Sequence, residues 1–306
     1  MYEQISKNKR LSYVLIVVMT AVLIVFGFII GYVTTGVGWF GLIIAVIIAV
    51  TLSLTSYYKG DKIALATSRA RKVTHDEAPQ LFNVVEEMAI ASGNPVPAVY
   101  IIDDSAPNAF ATGRNPQLSS IAVTQGLLDK MNRDELQGVV AHEMSHVRNY
   151  DILFATLVGV MVGAIALMAD FFLRFSFFGG GRRSGGNNSG IFGLIMVVVA
   201  LALAILAPIA TRMVQLAISR KREYLADASA VELTRNPEGL ANALEKISGD
   251  KEVLEVANRA TAHLYIAQPI KKFEKKSRRL FDTHPPIQER IAILRAMASG
   301  AASTAD

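Results

Sequence analysis

The sequence predicts an α+β membrane protein, in which a multi-pass bundle of four transmembrane helices carries a helix-and-strand domain on its cytoplasmic side. Two patterns carry that prediction. First, apolar residues are gathered into long runs: Leu11–Val33, Gly36–Tyr58, Ile152–Leu173 and Gly190–Thr211, with a single charge among them, Asp170, near the end of the third. Each run is long enough to cross a hydrocarbon core of about 30 Å at about 1.5 Å per residue. Second, the chain between the second and third runs alternates short apolar stretches with turn signals and closes on a helix.

The first run is too long for a cleaved signal peptide, and no small-residue cleavage site follows it before the second run. The third and fourth runs are richer in Gly and Ala, with Asp170 and Pro208 near their ends. A buried hairpin of a soluble domain is the alternative there, and the length of the uncharged runs favours spanning. Orientation follows from the basic residues at the span ends. Lys7, Lys9 and Arg10 precede the first span, and Lys59, Lys62, Arg69, Arg71 and Lys72 follow the second. Arg148 precedes the third, and Arg212, Arg220, Lys221 and Arg222 follow the fourth. Arg174, Arg182 and Arg183 in an external loop are a weaker counter-signal. The expected result is a multi-pass protein of the cell (inner) membrane, with both termini and the segment Lys59–Asp151 in the cytoplasm. Four units follow: a transmembrane hairpin (1–58), a cytoplasmic segment (59–151), a second hairpin (152–211) with an external loop at 174–190, and a helical cytoplasmic segment (212–306).

In the first cytoplasmic segment Leu81, Val84, Val85 and Met88 share one face of a helix over Ala78–Ser92. Strands follow at Ala98–Ile102, Ala109–Thr112 and Ser120–Thr124, separated by turns at Asn94-Pro95, Asp103-Asp104 and Arg114-Asn115-Pro116. The last helix opens on Asn132 and Glu135, an N-cap and N3 pair, and repeats Leu136, Val139, Val140, Met144 and Val147 at helical spacing.

Charge and composition narrow the function. A net charge of +5 sits largely beside the spans, where anionic headgroups favour it, and no aromatic-and-basic stripe suggests a nucleic-acid groove. The run Lys271, Lys272, Lys275, Lys276, Arg278 and Arg279 is a solvated face or a second lipid-facing patch. With no cysteine, thiol catalysis and thiolate metal ligands are excluded.

The chemistry is concentrated in His142-Glu143-Met144-Ser145-His146, which holds two of only five histidines. On a helix His142 and His146 stand one above the other and can present two imidazole nitrogens to one metal ion. Glu143 is turned about 100° away, within reach of a water beside that ion. This is the pattern of zinc-dependent hydrolysis, and helix–strands–helix with the motif on the last helix is a zincin layout. The bland alternative is a packed helix with two incidental histidines. Such a site needs a third ligand. Glu223 and Asp227, again i and i+4, follow the fourth span as it returns to the face the third span leaves. Glu223 can ligate, and Asp227 can take the outer hydrogen bond of a ligating imidazole. Alternatively the pair forms a solvated acidic face beside Arg220 and Arg222.

His-Glu-Met-Ser-His followed by Val147-Arg148-Asn149-Tyr150-Asp151, a transmembrane hairpin and Arg222-Glu223-Tyr224-Leu225-Ala226-Asp227 resembles the HtpX-type membrane zinc peptidases. The resemblance extends to Asn108-Ala109-Phe110-Ala111-Thr112-Gly113 and to Thr283-His284-Pro285-Pro286 with Arg290. It implies one Zn2+ per chain held by His142, His146 and Glu223, with Glu143 as catalytic base. It implies an edge strand at Asn108–Gly113 that binds substrate, and help for the transition state from His284 and Arg290. Read alone, His284 is a capping or core residue before the Pro-Pro turn, and Arg290 could equally be a surface cation. His75 and His263 have no such company and are expected to be structural or solvated. Protein substrates, membrane or misfolded, and a part in quality control under stress are what the resemblance implies. A silent membrane scaffold or chaperone with a metal site is the main rival, which the intact Glu143 disfavours. A channel is the other, and the lack of mid-membrane ionisable groups disfavours it.

Overall fold

A computed structural model describes residues 2–35, 38–163, 220–257, 261–267 and 285–299. The first two apolar runs lie on helices α1 (Tyr2–Thr35) and α2 (Gly38–Thr67), which pack side by side. Their outward residues are apolar: Val17, Trp39, Ile43 and Ile47 are all more than half exposed. A helix of a soluble core would bury such residues, so this pair suits a non-aqueous surround. Among the described residues, Leu42–Thr67 is long and apolar enough to cross a membrane, and only 12% of its apolar window is buried. The helix α2 passes Tyr58, where the first unit was expected to end, and runs to Thr67 without a break.

A four-stranded sheet follows, built from β1 (Ala70–Lys72), β2 (Ala98–Ile102), β3 (Ala109–Gly113) and β4 (Ser119–Thr124) in the order β1-β2-β4-β3. The central pair β2–β4 is parallel, and the outer pairs are antiparallel, with Ala109 opposite Val123. The three expected strands are present within one residue of their expected ends, with β3 on the edge.

Helix α3 (Pro79–Ser92) lays Leu81, Val84, Val85 and Met88 against the core, as their spacing requires. After the short α4 (Gln125–Lys130), helix α5 (Arg133–Arg148) is packed on by α3, β3, and two later helices, α7 (Arg220–Thr234) and α8 (Pro237–Gly249). Its start is a reciprocal capping box: Glu135 N–H donates to Asn132 Oδ1 at 2.9 Å, and Asn132 N–H to Glu135 Oε2 at 2.8 Å. Gly138 lets α5 approach α8 closely, since a Cβ there would stand 2.7 Å from Leu240 N.

Between α5 and the next helix, α6 (Asp151–Gly163), Tyr150 adopts a left-handed backbone, φ 59°. The turn ends α5 and starts α6 at Asp151, whose carboxylate reaches back to His146 in the last turn of α5. The start of α6 packs on α1 through Leu15, Phe154, Leu157 and Val158. Helix α9 (Ile287–Ala298) closes the domain against α7 and α8. The rest of the third run, the 174–190 loop, the fourth run, the basic run at 271–279 and His284 lie outside the described residues.

Candidate metal centre and active site

His142 and His146 project from α5 toward Glu223 on α7. The two Nε2 atoms are 3.2 Å apart. Glu223 Oε2 stands 3.6 Å from His142 Nε2, and Oε1 3.7 Å from His146 Nε2. One ligand atom from each of the three residues falls within a 4.8 Å span. Sites separated by 70 or more residues in the chain thus converge on one point, and the acidic pair on α7 is buried rather than solvated.

The outer nitrogens are also engaged. Asp227 Oδ1 lies 2.9 Å from His142 Nδ1, and Asp151 Oδ2 lies 3.1 Å from His146 Nδ1. Each carboxylate can hold its ring with Nε2 turned inward, the tautomer a ligand needs. Asp227 is the residue expected for this task. Asp151 was visible as the end of the stretch that follows the motif, with no role attached to it.

Burial works against charge on His142, yet the hydrogen bonds to Asp227 and Glu223 outweigh it and raise its pKa to about 9. His146 is raised too: burial opposes it, and the Asp151 hydrogen bond and the Glu223 charge prevail. Asp227 is held below the usual carboxylate range despite burial, chiefly by the Arg290 charge. Two imidazoles drawn toward the protonated state beside a carboxylate form a pocket short of positive charge. That donor set, N₂O with both outer nitrogens anchored, fits a divalent metal.

Glu143 is buried and accepts a hydrogen bond from the Ala111 N–H of β3. Its Oε1 has no hydrogen-bond partner among the described residues. A bare carboxylate oxygen beside the ligand cluster is unusual for a buried polar atom and free to meet a water. Burial is the main cause that pushes its pKa up, toward the range useful for proton transfer at neutral pH.

Arg290 is placed among the residues around the ligand cluster. It is fully buried, which excludes a surface cation, and it packs against Asp227 with Nη1 3.7 Å from Glu223 Oε2. Its Nε and Nη2 donate to the two Asp227 oxygens at 2.8 and 2.6 Å, and Nη1 donates to Ile266 O at 3.2 Å. Here it fixes the residue that fixes His142.

The edge strand β3 is wholly buried, because residues 261–267 lie along it. Ile266 N–H donates to Ala109 O at 2.9 Å. Asn108 grips the same segment: its Nδ2 donates to Ala267 O at 3.0 Å. Phe110 meets Tyr265 edge to face, and Thr112 pairs with Thr156 at 2.8 Å, while Ala111 lines the cleft. Gly113 takes a φ of 141°, open only to glycine. His263, expected to be structural or solvated, also lines the cleft, bonded through Nε2 to Ala155 O at 2.9 Å. His75 is exposed and bonds Asn83. The cavity beside Glu143 is about 40 Å³, room for water and far below the ~300 Å³ of a small-ligand pocket.

Two imidazoles and a carboxylate converging beside a buried, half-satisfied glutamate are a set of groups suited to a metallohydrolase. Comparison with known proteins makes the class specific. The family model for peptidase family M48 matches residues 75–298. A protease HtpX homolog of Streptococcus uberis is 43% identical over 298 residues, covering 97% of this chain and 100% of that protein. Homologs of the same name from Streptococcus agalactiae and Dictyoglomus turgidum are each 44% identical, covering 97% of this chain and 100% and 94% of theirs. The crystal structure of S. mikatae Ste24p aligns at a TM-score of 0.49 and 20% identity over 96% of this chain and 67% of that one, too distant to carry an argument. The chain belongs to peptidase family M48 and is a membrane-bound metalloprotease.

Proposed function

We propose that the chain is a zinc-dependent endopeptidase of the cell membrane that cleaves extended segments of membrane or misfolded proteins at the cytoplasmic face. The observation that carries this is the convergence of His142, His146 and Glu223 beside Glu143 Oε1. Zinc bound by these three residues would act as a Lewis acid, polarising a carbonyl and making water nucleophilic near neutral pH. Glu143 accepts a proton at Oε1 as that water attacks, then passes it to the departing amine. Asp151 and Asp227 hold the imidazoles in register, and Arg290 holds Asp227. His284 remains a candidate donor to the transition state on its motif alone.

For substrate binding we propose the edge of β3. The bond from Ile266 N–H to Ala109 O supports this, since an edge carbonyl there accepts a backbone N–H from another part of the same chain. An incoming peptide takes that place without being read by sequence. The four-span topology is likewise proposed. The contacts of Asn8, Asp151 and Arg222 support it, because they gather the start of the first span, the start of the third and the residues after the fourth on one side. The basic flanks of the spans make that side cytoplasmic. The four-unit division of the chain is proposed on the same basis, with the first boundary moved to follow α2.

The test is casein cleavage by the purified full chain with and without chelator, beside Glu143→Gln. The expected result is loss on chelation, recovery with Zn2+, and a fall of about 10²–10⁴-fold in the variant with zinc still bound. Chelator-resistant cleavage, or full activity of zinc-loaded Glu143→Gln, would overturn the reading.

A further inference from the structure

Asp151 divides its two oxygens between different tasks. Oδ2 faces His146 Nδ1 at 3.1 Å. Oδ1 takes Arg222 Nη1 at 3.2 Å and the Asn8 side-chain amide. Asn8 lies near the start of α1, is 2% exposed, and is 143 residues away in the chain. Its Nδ2 also donates to Asn149 O at 3.0 Å, in the turn between α5 and α6. Its Oδ1 receives Arg222 Nη1 at 3.4 Å. The next residue, Lys9, has Nζ 4.1 Å from the centre of the Tyr150 ring. The first membrane helix therefore grips, at its start, the turn that aims Asp151 at a metal ligand.

A buried amide is costly unless both its ends are satisfied, and apolar residues would seat α1 against α6 equally well. The shape of the network explains the polar choice. Asp151 on a helix N-terminus has freedom about its χ angles, and both anchors fall on the oxygen that does not face the histidine. Fixing Oδ1 fixes where Oδ2 points, and so the rotation of the His146 ring. Arg222 adds a direct link, since it adjoins Glu223 on α7.

We propose that Asn8 is a positioning residue for the metal centre, acting through Asp151 on His146, so that docking of the first membrane helix sets how tightly the site holds its ion. The proposal rests on the metal reading above, and its readout is metal affinity rather than cleavage. Outer partners of ligating histidines are typically worth about 10–100-fold in metal affinity.

The experiment titrates the full chain in detergent with Zn2+ against a competing chelator. Asp151→Asn should weaken Zn2+ binding by about 10–100-fold. Asn8→Ala should weaken it by a smaller factor, at least about threefold, and should add nothing in the Asp151→Asn background if it acts through that residue. Ser12→Ala is the control. It removes a buried hydroxyl bonded to Asn8 O on the same helix, without touching Asp151, and should leave the affinity unchanged. If Asn8→Ala does not fold, Asn8→Ser carries the same expectation at a smaller factor. Unchanged affinity in Asn8→Ala, an equal loss in Ser12→Ala, or losses that multiply in the double variant would each overturn the proposal. Absence of Zn2+ binding by the parent chain would defeat the metal reading itself, a separate outcome.

Discussion

Replacing Arg290 by Met keeps most of the volume and removes the charge. The guanidinium is fully buried and gives Asp227 two hydrogen bonds, at 2.8 and 2.6 Å. Without it, Asp227 stays buried with only the His142 ring beside it, and Ile266 O loses its donor. Breaking a buried ion pair on one side costs about 3–5 kcal/mol, because the remaining charge stays desolvated and here keeps only the His142 ring as a partner. For a folded unit the size of residues 75–298, each kcal/mol moves the midpoint by about 2–4 °C, so the drop should be about 6–20 °C. The assay is thermal unfolding of the full chain followed by circular dichroism in chelator, so that bound metal does not mask the loss. The double variant Arg290→Met/Asp227→Leu removes both charges and should regain at least half of that drop. A single variant within about 1 kcal/mol of the parent, or a double variant less stable than the single, would refute the assignment of Arg290 to Asp227.

Three further outcomes follow from the same geometry. Zinc can bind only neutral imidazole, so with His142 raised from 6.5 to about 9 in the metal-free chain, affinity should climb with pH up to about 9 and binding should release protons. Stability of the metal-free chain runs the other way: a raised histidine pKa stabilises fully below 6.5, and that contribution is lost as pH rises through about 9. Calorimetry in buffers of different ionisation enthalpy reads the protons, and affinity flat across that window would contradict the ion pairing of His142. Gly138→Ala gains about 1 kcal/mol of helix propensity, but its Cβ would meet Leu240 N and Cα at 2.7 and 2.8 Å. The net should be a loss of about 1–3 kcal/mol in the same unfolding assay, and a stabilised variant would deny the close approach of α5 and α8. Asn132→Ala removes the acceptor for Glu135 N–H and should cost about 1 kcal/mol, with no change in Zn2+ affinity.

What could be read in the sequence was local. The spacing of His142 and His146, the Asn132–Glu135 box and the period of Leu136, Val139, Val140, Met144 and Val147 are all set within a few turns of one helix, and the structure has each. Glu223 and Asp227 were legible as a pair one turn apart, though their burial depends on α7 packing on α5. What could not be read involves distant partners. No local pattern links Asn8 to Asp151. Asp151 itself, five residues past His146, had a signal in its proximity to the motif, but aiming it requires the left-handed turn at Tyr150. The three residues of β1 are too few to show a period and exist by pairing with β2. Arg290 was legible as important and not as buried, since its surroundings come from α7 and the 261–267 segment. His263 reaches the cleft only because that segment lies along β3.

The segment lying on β3 has a kinetic consequence. A peptide that pairs with β3 as proposed competes for the Ala109 carbonyl with Ile266 of the same chain, and a partner within one chain has an effective concentration on the order of millimolar when its linkage is short and flexible. A short peptide, offering one or two backbone bonds, meets that rival at a disadvantage. A long unstructured chain can lay down several contacts at once and win. On the proposed strand pairing, such an arrangement favours extended polypeptides over fragments.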